Sequence, residues 1–234
     1  KGWEYFGPLS WLWVNNDNKP LDDVKVRKAI MHGIDREFAK DALWNGLGKI
    51  ISTGPLSSSP GSDGDTPDIS YDPEKAKALL ADSSYNGETI RILGLPYGET
   101  WQRWAEAVKQ NLIEIGMTTE IVPSDVAGWN QKVADRDFDL AFTYLYQYGD
   151  PALGVSRTYM GDNAVPGSPW NNVANYQNPE TDRLFNDAAK TARQPINKSR
   201  IRSYRTCRTS GCWNWVSQRS IAATLKTPLT LPLV

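Results

Sequence analysis

The chain has 234 residues, with 26 basic and 27 acidic side chains, one histidine and a net charge of −1. That balance offers no bulk electrostatic case for nucleic acid or an anionic membrane surface, and no apolar run of about 18 residues is present to span a bilayer. Ten Trp and ten Tyr are many for this length, and such amphipathic rings serve both cores and ligand pockets.

In chain order, Leu9–Asn15 is an apolar, aromatic run that reads as a strand. Asp22 and Asp23 follow Pro20 and can cap a helix over Val24–His32, because a carboxylate there accepts orphan amide protons. Gly33 ends that helix, and Asp35 can cap a second one running to about Asn45. The Gly-, Pro- and Ser-rich stretch 46–68 reads as a long loop. Its Asp63, Asp65 and Asp68 lack the twelve-residue pattern and closing Glu of a calcium loop. Asp72-Pro73 is an N-cap with proline at the first helical position, and Ala76, Leu79 and Leu80 share a face beyond it. Thr89–Leu93 reads as a short strand. Glu99–Ile115 carries Trp101, Trp104, Ala105, Val108, Leu112 and Ile115 at three- and four-residue steps, a helical stripe, and Gly116 supplies its left-handed stop. Trp101 and Trp104 are expected in the core, with a pocket wall as the alternative. A strand over Thr118–Val122, a helix over Asp125–Asp135 and a strand over Phe138–Tyr144 complete a β-α-β-α-β run, which argues for an α/β layer with a partly parallel sheet. A loop dense in Gly, Pro and Asn fills 147–177, and Asn178-Pro179 starts a helix to about Arg193. There is no internal repeat.

Several of these segments resemble, in order, the family 5 bacterial solute-binding proteins, the dipeptide and oligopeptide binders. They are Pro20 to Ile30 with Gly33-Ile34-Asp35-Arg36, Tyr71 to Leu80, Ala105 to Gly116, Gly149-Asp150-Pro151, and Asn175 to Asp182. Members of that family are about double this length and close two lobes around a ligand. The resemblance implies an α/β lobe of the type II periplasmic binding protein kind, with a mixed, partly parallel sheet flanked by helices. It divides the chain into residues 1–20, a strand crossing from a first lobe, residues 21–195, the C-terminal lobe, and residues 196–234. Lys1 reads as a start inside a longer protein, so an export signal is expected upstream.

The last segment departs from the pattern. Residues 196–234 hold seven basic residues and no acid, leaving −8 on residues 1–195, and both cysteines, Cys207 and Cys212, fall there. Back-translating Gly211 to Val216 and reading from each third base forces Leu-Glu-Leu-Gly after Leu, Met or Val, within a possible alternating strand resembling the family's C-terminal one. The tail is therefore read as a frameshifted return segment, against the alternative of a native basic extension; the coding DNA distinguishes them.

The motifs of hydrolases, phosphate loops and dinucleotide folds are absent from the sequence. His32 is read as structural, and there is no His/Cys set for zinc or iron. No catalytic residue, metal or cofactor is expected. The site candidate is the loop 144–176, because ligands of α/β sheets sit outside the carboxyl ends of strands. Tyr144, Tyr146 and Tyr148 alternate and share one face of an extended segment, and Asp150 follows. A carboxylate there can pair with a peptide's α-ammonium, as the resemblance implies; the alternative is an Asx-Pro turn without ligand contact. Arg157 can meet a ligand carboxylate through its planar fork or form a surface salt bridge. Trp170, Asn171 and Asn172 lie in a loop that resembles one facing the cleft. Trp13, with Trp11, lies on a strand face able to look into the cleft near a hinge.

The resemblance implies binding without chemistry. The parent would be the periplasmic substrate-binding subunit of an ABC importer, monomeric at full length. It would trap a peptide or similar small solute and present it to permease subunits in the membrane, with no nucleic-acid partner. The alternative is a ligand-sensing domain of a regulator or chemoreception system.

Overall fold

The computed structural model describes residues 8–50, 70–146, 156–193 and 230–232. One five-stranded sheet organises them. Its strands are β1 (Pro8–Val14), β2 (Thr89–Leu93), β3 (Thr118–Val122), β4 (Leu140–Tyr146) and β5 (Thr230–Pro232), in the order β3-β2-β4-β1-β5. β2 runs parallel to both β3 and β4, whereas β1 is antiparallel to β4 and to β5. The sheet is thus mixed and partly parallel, as the alternation of elements predicts. The helices are α1 (Val24–Gly33), α2 (Pro73–Ala81), α3 (Glu99–Glu114), α4 (Val126–Ala134) and α5 (Pro179–Arg193), with a helical turn at Arg36–Phe38 running into a π-turn at Ala39–Leu43.

Helix starts are set by short polar side chains. Asp23 accepts from the Lys25 amide at 2.7 Å, Asp72 from Lys75 at 2.9 Å and Asp125 from Gly128 at 2.7 Å. Asn178 accepts from Glu180 and Thr181 at 3.0 and 3.3 Å, and Asp35 caps the turn that follows it, from Phe38 at 2.9 Å. Each such cap contributes about 1 kcal/mol. Asp23 also accepts from the Ser84 amide at 2.8 Å, which ties the start of α1 to the end of α2. α3 stops where Gly116 takes φ of 96°, with the Met117 amide bonded back to the Leu112 carbonyl.

The Gly-Ile-Asp-Arg phrase after α1 has a packing explanation. A β-carbon on Gly33 would lie 2.8 Å from the Ile115 side chain, so glycine lets α1 approach the end of α3. Arg36 is buried and donates to the Met31 carbonyl at 2.9 Å, which pins the turn. His32 is buried too; its Nδ1 lies 2.9 Å from the Ser70 carbonyl, a structural role.

The core lies on both faces of the sheet. Opposed residues of β1 and β4 share a face, so Val14, Leu12 and Ser10 go with Leu140, Phe142 and Tyr144, while Trp13 and Trp11 go with Ala141 and Thr143. The first face meets α3 through Trp101 and Trp104, and the second meets α4 through Trp129, which stacks on Trp13 at 6.3 Å. A smaller cluster of Tyr159, Tyr176, Leu184 and Phe185 holds α5, and Tyr159 touches Trp11 edge-on at 6.3 Å.

Two sequence expectations shift. The strand expected over 138–144 is Leu140–Tyr146 instead. Phe138 and Asp139 are diverted, because Asn15 and Asn18 donate their side-chain amides to the Phe138 carbonyl at 3.0 Å each. At the other end the ladder runs on, with Pro8 paired to Tyr146. β5 adds a three-residue edge strand from the anomalous tail; the rest of 196–234, with Cys207 and Cys212, lies outside the described residues, as does the loop carrying Asp63, Asp65 and Asp68.

At the amino ends of β2 and β4, Arg91 reaches Asp137 at 2.6 Å and Asp139 at 3.2 Å, and Lys132 reaches Asp137 at 3.0 Å. The hydrogen bonds from Arg91 and Lys132 hold the Asp137 carboxyl below the usual carboxylate range. A depressed carboxyl contributes stability above its unfolded value near about 4, and that contribution is lost as pH falls through the lower folded value. Asp137→Asn should therefore melt below the wild type at pH 7, with the gap narrowing as pH falls below about 4. Melting curves across pH check it, and a gap that is constant or widens in acid contradicts it. Because Asp137 is half exposed, the gap should also shrink with salt.

Candidate functional site

The carboxyl ends of the parallel strands carry a run of aromatic rings. After β2, the chain continues Gly94-Leu95-Pro96-Tyr97-Gly98 before α3 begins at Glu99. Leu95 is buried, while Tyr97 remains 41% exposed. The last residues of β4 run alongside. Tyr144 lies 6.2 Å from Tyr97, 6.3 Å from Trp101 and 5.9 Å from Tyr146, by ring centroids. Tyr146 is 43% exposed. Inward, Trp101 stacks on Trp104 at 5.7 Å, and Trp104 meets Trp44 edge-on at 4.4 Å and Phe142 at 5.4 Å. The surface rings are thus the outer edge of a packed aromatic core, which fixes their positions.

The electrostatics of this ledge are simple. Residues 93–98 and 140–146 contain no charged side chain. Burial, with the Tyr146 and Tyr97 hydroxyls nearby, pushes the Tyr144 phenol above its ordinary value, so it stays protonated and able to donate at neutral pH. Rings, hydroxyls and main-chain groups are what the ledge offers a ligand. Among the described residues, no group of three or more His, Cys, Asp or Glu could hold a metal ion.

The sequence-derived site residues are dispersed. Tyr146 is on the ledge. Tyr148 and Asp150 lie outside the described residues. Arg157 is exposed in a 3-10 turn at Ser156–Thr158. Trp170 is half-buried against Trp129 at 5.9 Å, on the opposite face of the sheet from Tyr146, and Asn171 is partly exposed beside it. The neighbouring Asn172 is an anchor. It donates to the Met160 and Tyr176 carbonyls at 3.1 and 2.7 Å and accepts from the Tyr176 amide at 2.9 Å, which shapes the turn after Trp170.

Trp13 corrects the reading of β1. It is 1% exposed and stacked on Trp129, and Trp11, Leu12 and Val14 are equally buried. β1 sits between β4 and β5 with both faces covered, so the side chain is core and no face of β1 lines an open cleft. One ledge residue, Tyr97, has no reading in the sequence. Tyr97 lies in a Pro-Tyr-Gly turn without periodicity, and its one signal is position, immediately beyond a strand's carboxyl end. Trp101, expected in the core, is its half-buried rim, whereas Trp104 is fully interior.

The described residues thus form a mixed α/β sheet with a ring-lined ledge at the carboxyl ends of its parallel strands. Residues 7–166 match the model of the bacterial extracellular solute-binding proteins, family 5, middle region, and the chain belongs to that family. Among curated relatives, heme-binding protein A of Haemophilus influenzae is 30% identical over 187 residues, covering 77% of this chain and 33% of that protein. The dipeptide-binding protein of Escherichia coli is 30% identical over 149 residues, covering 61% of this chain and 28% of that one. The chain spans about a third of the length of the curated relatives it matches. Among solved structures, HbpA2 from Haemophilus parasuis superposes with a TM-score of 0.77 at 22% identity, covering 96% of this chain and 42% of that one. DppA from Helicobacter pylori in complex with the peptide STSA gives 0.76 at 19%, covering 98% and 41%. These likenesses establish the fold, a lobe of the periplasmic binding protein kind.

Proposed function

We propose that the parent of this chain is the substrate-binding subunit of an ABC importer, which captures short peptides or similar small solutes between two lobes outside the cytoplasm. The chain supplies the second lobe. The observation that carries the reading is the exposed, uncharged aromatic ledge at the carboxyl ends of β2 and β4, in a chain of a solute-binding family. The curated relatives named for dipeptides and di- or tripeptides support peptide as the solute class. Binding proceeds without chemistry: the closed form buries the ligand, and closure is favoured by the ligand's greater affinity for the closed state. Asp150 is proposed to pair with the peptide's ammonium group, with Tyr148 as a further ligand contact and Arg157 as a candidate for its carboxylate. The closed form is then presented to permease subunits in the membrane, and the full-length protein acts as a monomer.

Tryptophan fluorescence of the full-length protein tests the reading. Titration with di- and tripeptides should give a saturable change, and Asp150→Asn should weaken peptides with a free amino terminus about tenfold more than their N-acetylated forms, the scale of one charge-assisted hydrogen bond. Saturable binding to none of the peptides contradicts the function, and equal weakening removes Asp150 from its role.

A further inference from the structure

We propose that Tyr97, Trp101, Tyr144 and Tyr146 form a subsite that takes an aromatic side chain of the bound peptide, so that this protein selects ring-bearing peptides over aliphatic ones. The inference rests on the solute-binding reading above and specifies the ligand class of that site.

Three observations converge on it. First, two of the exposed large side chains described, Tyr97 and Tyr146, are bridged by a third ring, Tyr144, at 6.2 and 5.9 Å. Contiguous exposed apolar surface marks a contact site more often than scattered residues do. Second, the spacing suits a further ring. Centroid separations of about 4.5–7 Å are those of favourable aromatic pairs, and the Tyr97, Trp101 and Tyr146 rings each already meet Tyr144 at 5.9–6.3 Å in tilted and edge-on geometries. An incoming ring against Tyr97 and Tyr146 would continue this pattern outward from the core. Third, the strand-end segments 93–98 and 140–146 carry no charge, and Glu99 at the start of α3 is already paired with Arg103 at 2.6 Å. They do not offer an ion-pair partner for a peptide's terminal ammonium or carboxylate, so the part of the ligand recognised here is an uncharged side chain. Trp101 is held in place from behind by Trp44, Trp104 and Phe142, and Tyr144 rests on Trp101, so these two rings lose little conformational freedom on binding.

The test is isothermal titration of the full-length protein with Ala-Phe, Ala-cyclohexylalanine and Ala-Ala. Cyclohexylalanine matches phenylalanine in bulk and lacks the aromatic ring. Wild type should bind Ala-Phe about tenfold more tightly than Ala-cyclohexylalanine, the upper end expected of one aromatic pair, and more tightly still than Ala-Ala. Tyr146→Leu and Tyr97→Leu keep apolar bulk at exposed positions and should each erase most of that preference, weakening Ala-Phe several-fold more than Ala-Ala. A circular dichroism spectrum matching wild type establishes that the variants are folded, and the wild-type ranking tests the claim independently of them. Equal wild-type affinity for Ala-Phe and Ala-cyclohexylalanine overturns the subsite and leaves the solute-binding reading standing, as does a preference that survives both substitutions. Binding of none of the three peptides overturns the peptide reading itself, and the subsite with it.

Discussion

Trp104→Ala is expected to be among the most damaging single substitutions in this lobe, lowering unfolding free energy by about 3–5 kcal/mol. The side chain is 1% exposed and meets three other rings, Trp44 at 4.4 Å, Phe142 at 5.4 Å and Trp101 at 5.7 Å. Its loss leaves a cavity between α3 and the sheet that rigid neighbours cannot refill. Against a total stability of about 5–15 kcal/mol for a typical domain, such a loss unfolds a substantial fraction of molecules near physiological temperature. Denaturant titration measures it, and a change under about 1 kcal/mol would mean that the ring is not interior. Tyr97→Ala at the exposed end of the same cluster should cost much less, since one side of that ring already meets solvent.

Asp139→Ala is the second large effect. The carboxylate is almost fully buried and accepts from the Arg91 main-chain amide at 2.8 Å, the Arg91 side chain at 3.2 Å and the Asn18 amide at 2.8 Å. Arg91 belongs to β2, Asn18 to the turn after β1, and Asp139 leads into β4, so one side chain ties three segments at the amino edge of the sheet. Removing it leaves a buried donor unsatisfied and strips the guanidinium of one of its two acids, for a loss of about 2–4 kcal/mol. The two carboxylates hold the Arg91 guanidinium above its ordinary value, and Asp137 alone would hold it less firmly. Asp139→Asn keeps one acceptor and should fall between alanine and wild type. An alanine variant as stable as wild type would show that this network does not anchor the strands.

Much of the scaffold was legible because its signals are local. Asp23, Asp35, Asp72 and Asn178 announce their helices through chemistry confined to three or four residues, and the stripe from Trp101 to Ile115 reports a buried face directly. What failed was whatever depends on a distant partner. Alternation along Leu9–Asn15 shows that Trp11 and Trp13 share a face, but not that Trp129, far along the chain, covers it. The start of β4 moved because Asn15 and Asn18 take the carbonyl that a strand would have used. The site was half legible for the same reason. Tyr146 follows from the rule that ligands sit beyond strand ends, whereas Tyr97 joins it only because β2 and β4 are adjacent and parallel, a fact of topology. Trp170 and Asn171, placed in the same site from sequence, are carried to the other side of the sheet by the turn that Asn172 holds.

Solute capture as proposed requires this lobe to act together with a second one. Calorimetric titration of this 234-residue chain and of the full-length protein with the same peptide, side by side, tests that most directly. Micromolar or tighter binding by the full-length protein and no measurable heat from the lobe alone is the predicted result. Equal affinity in both would contradict it, since the ledge and its neighbouring loop would then be a complete site on their own.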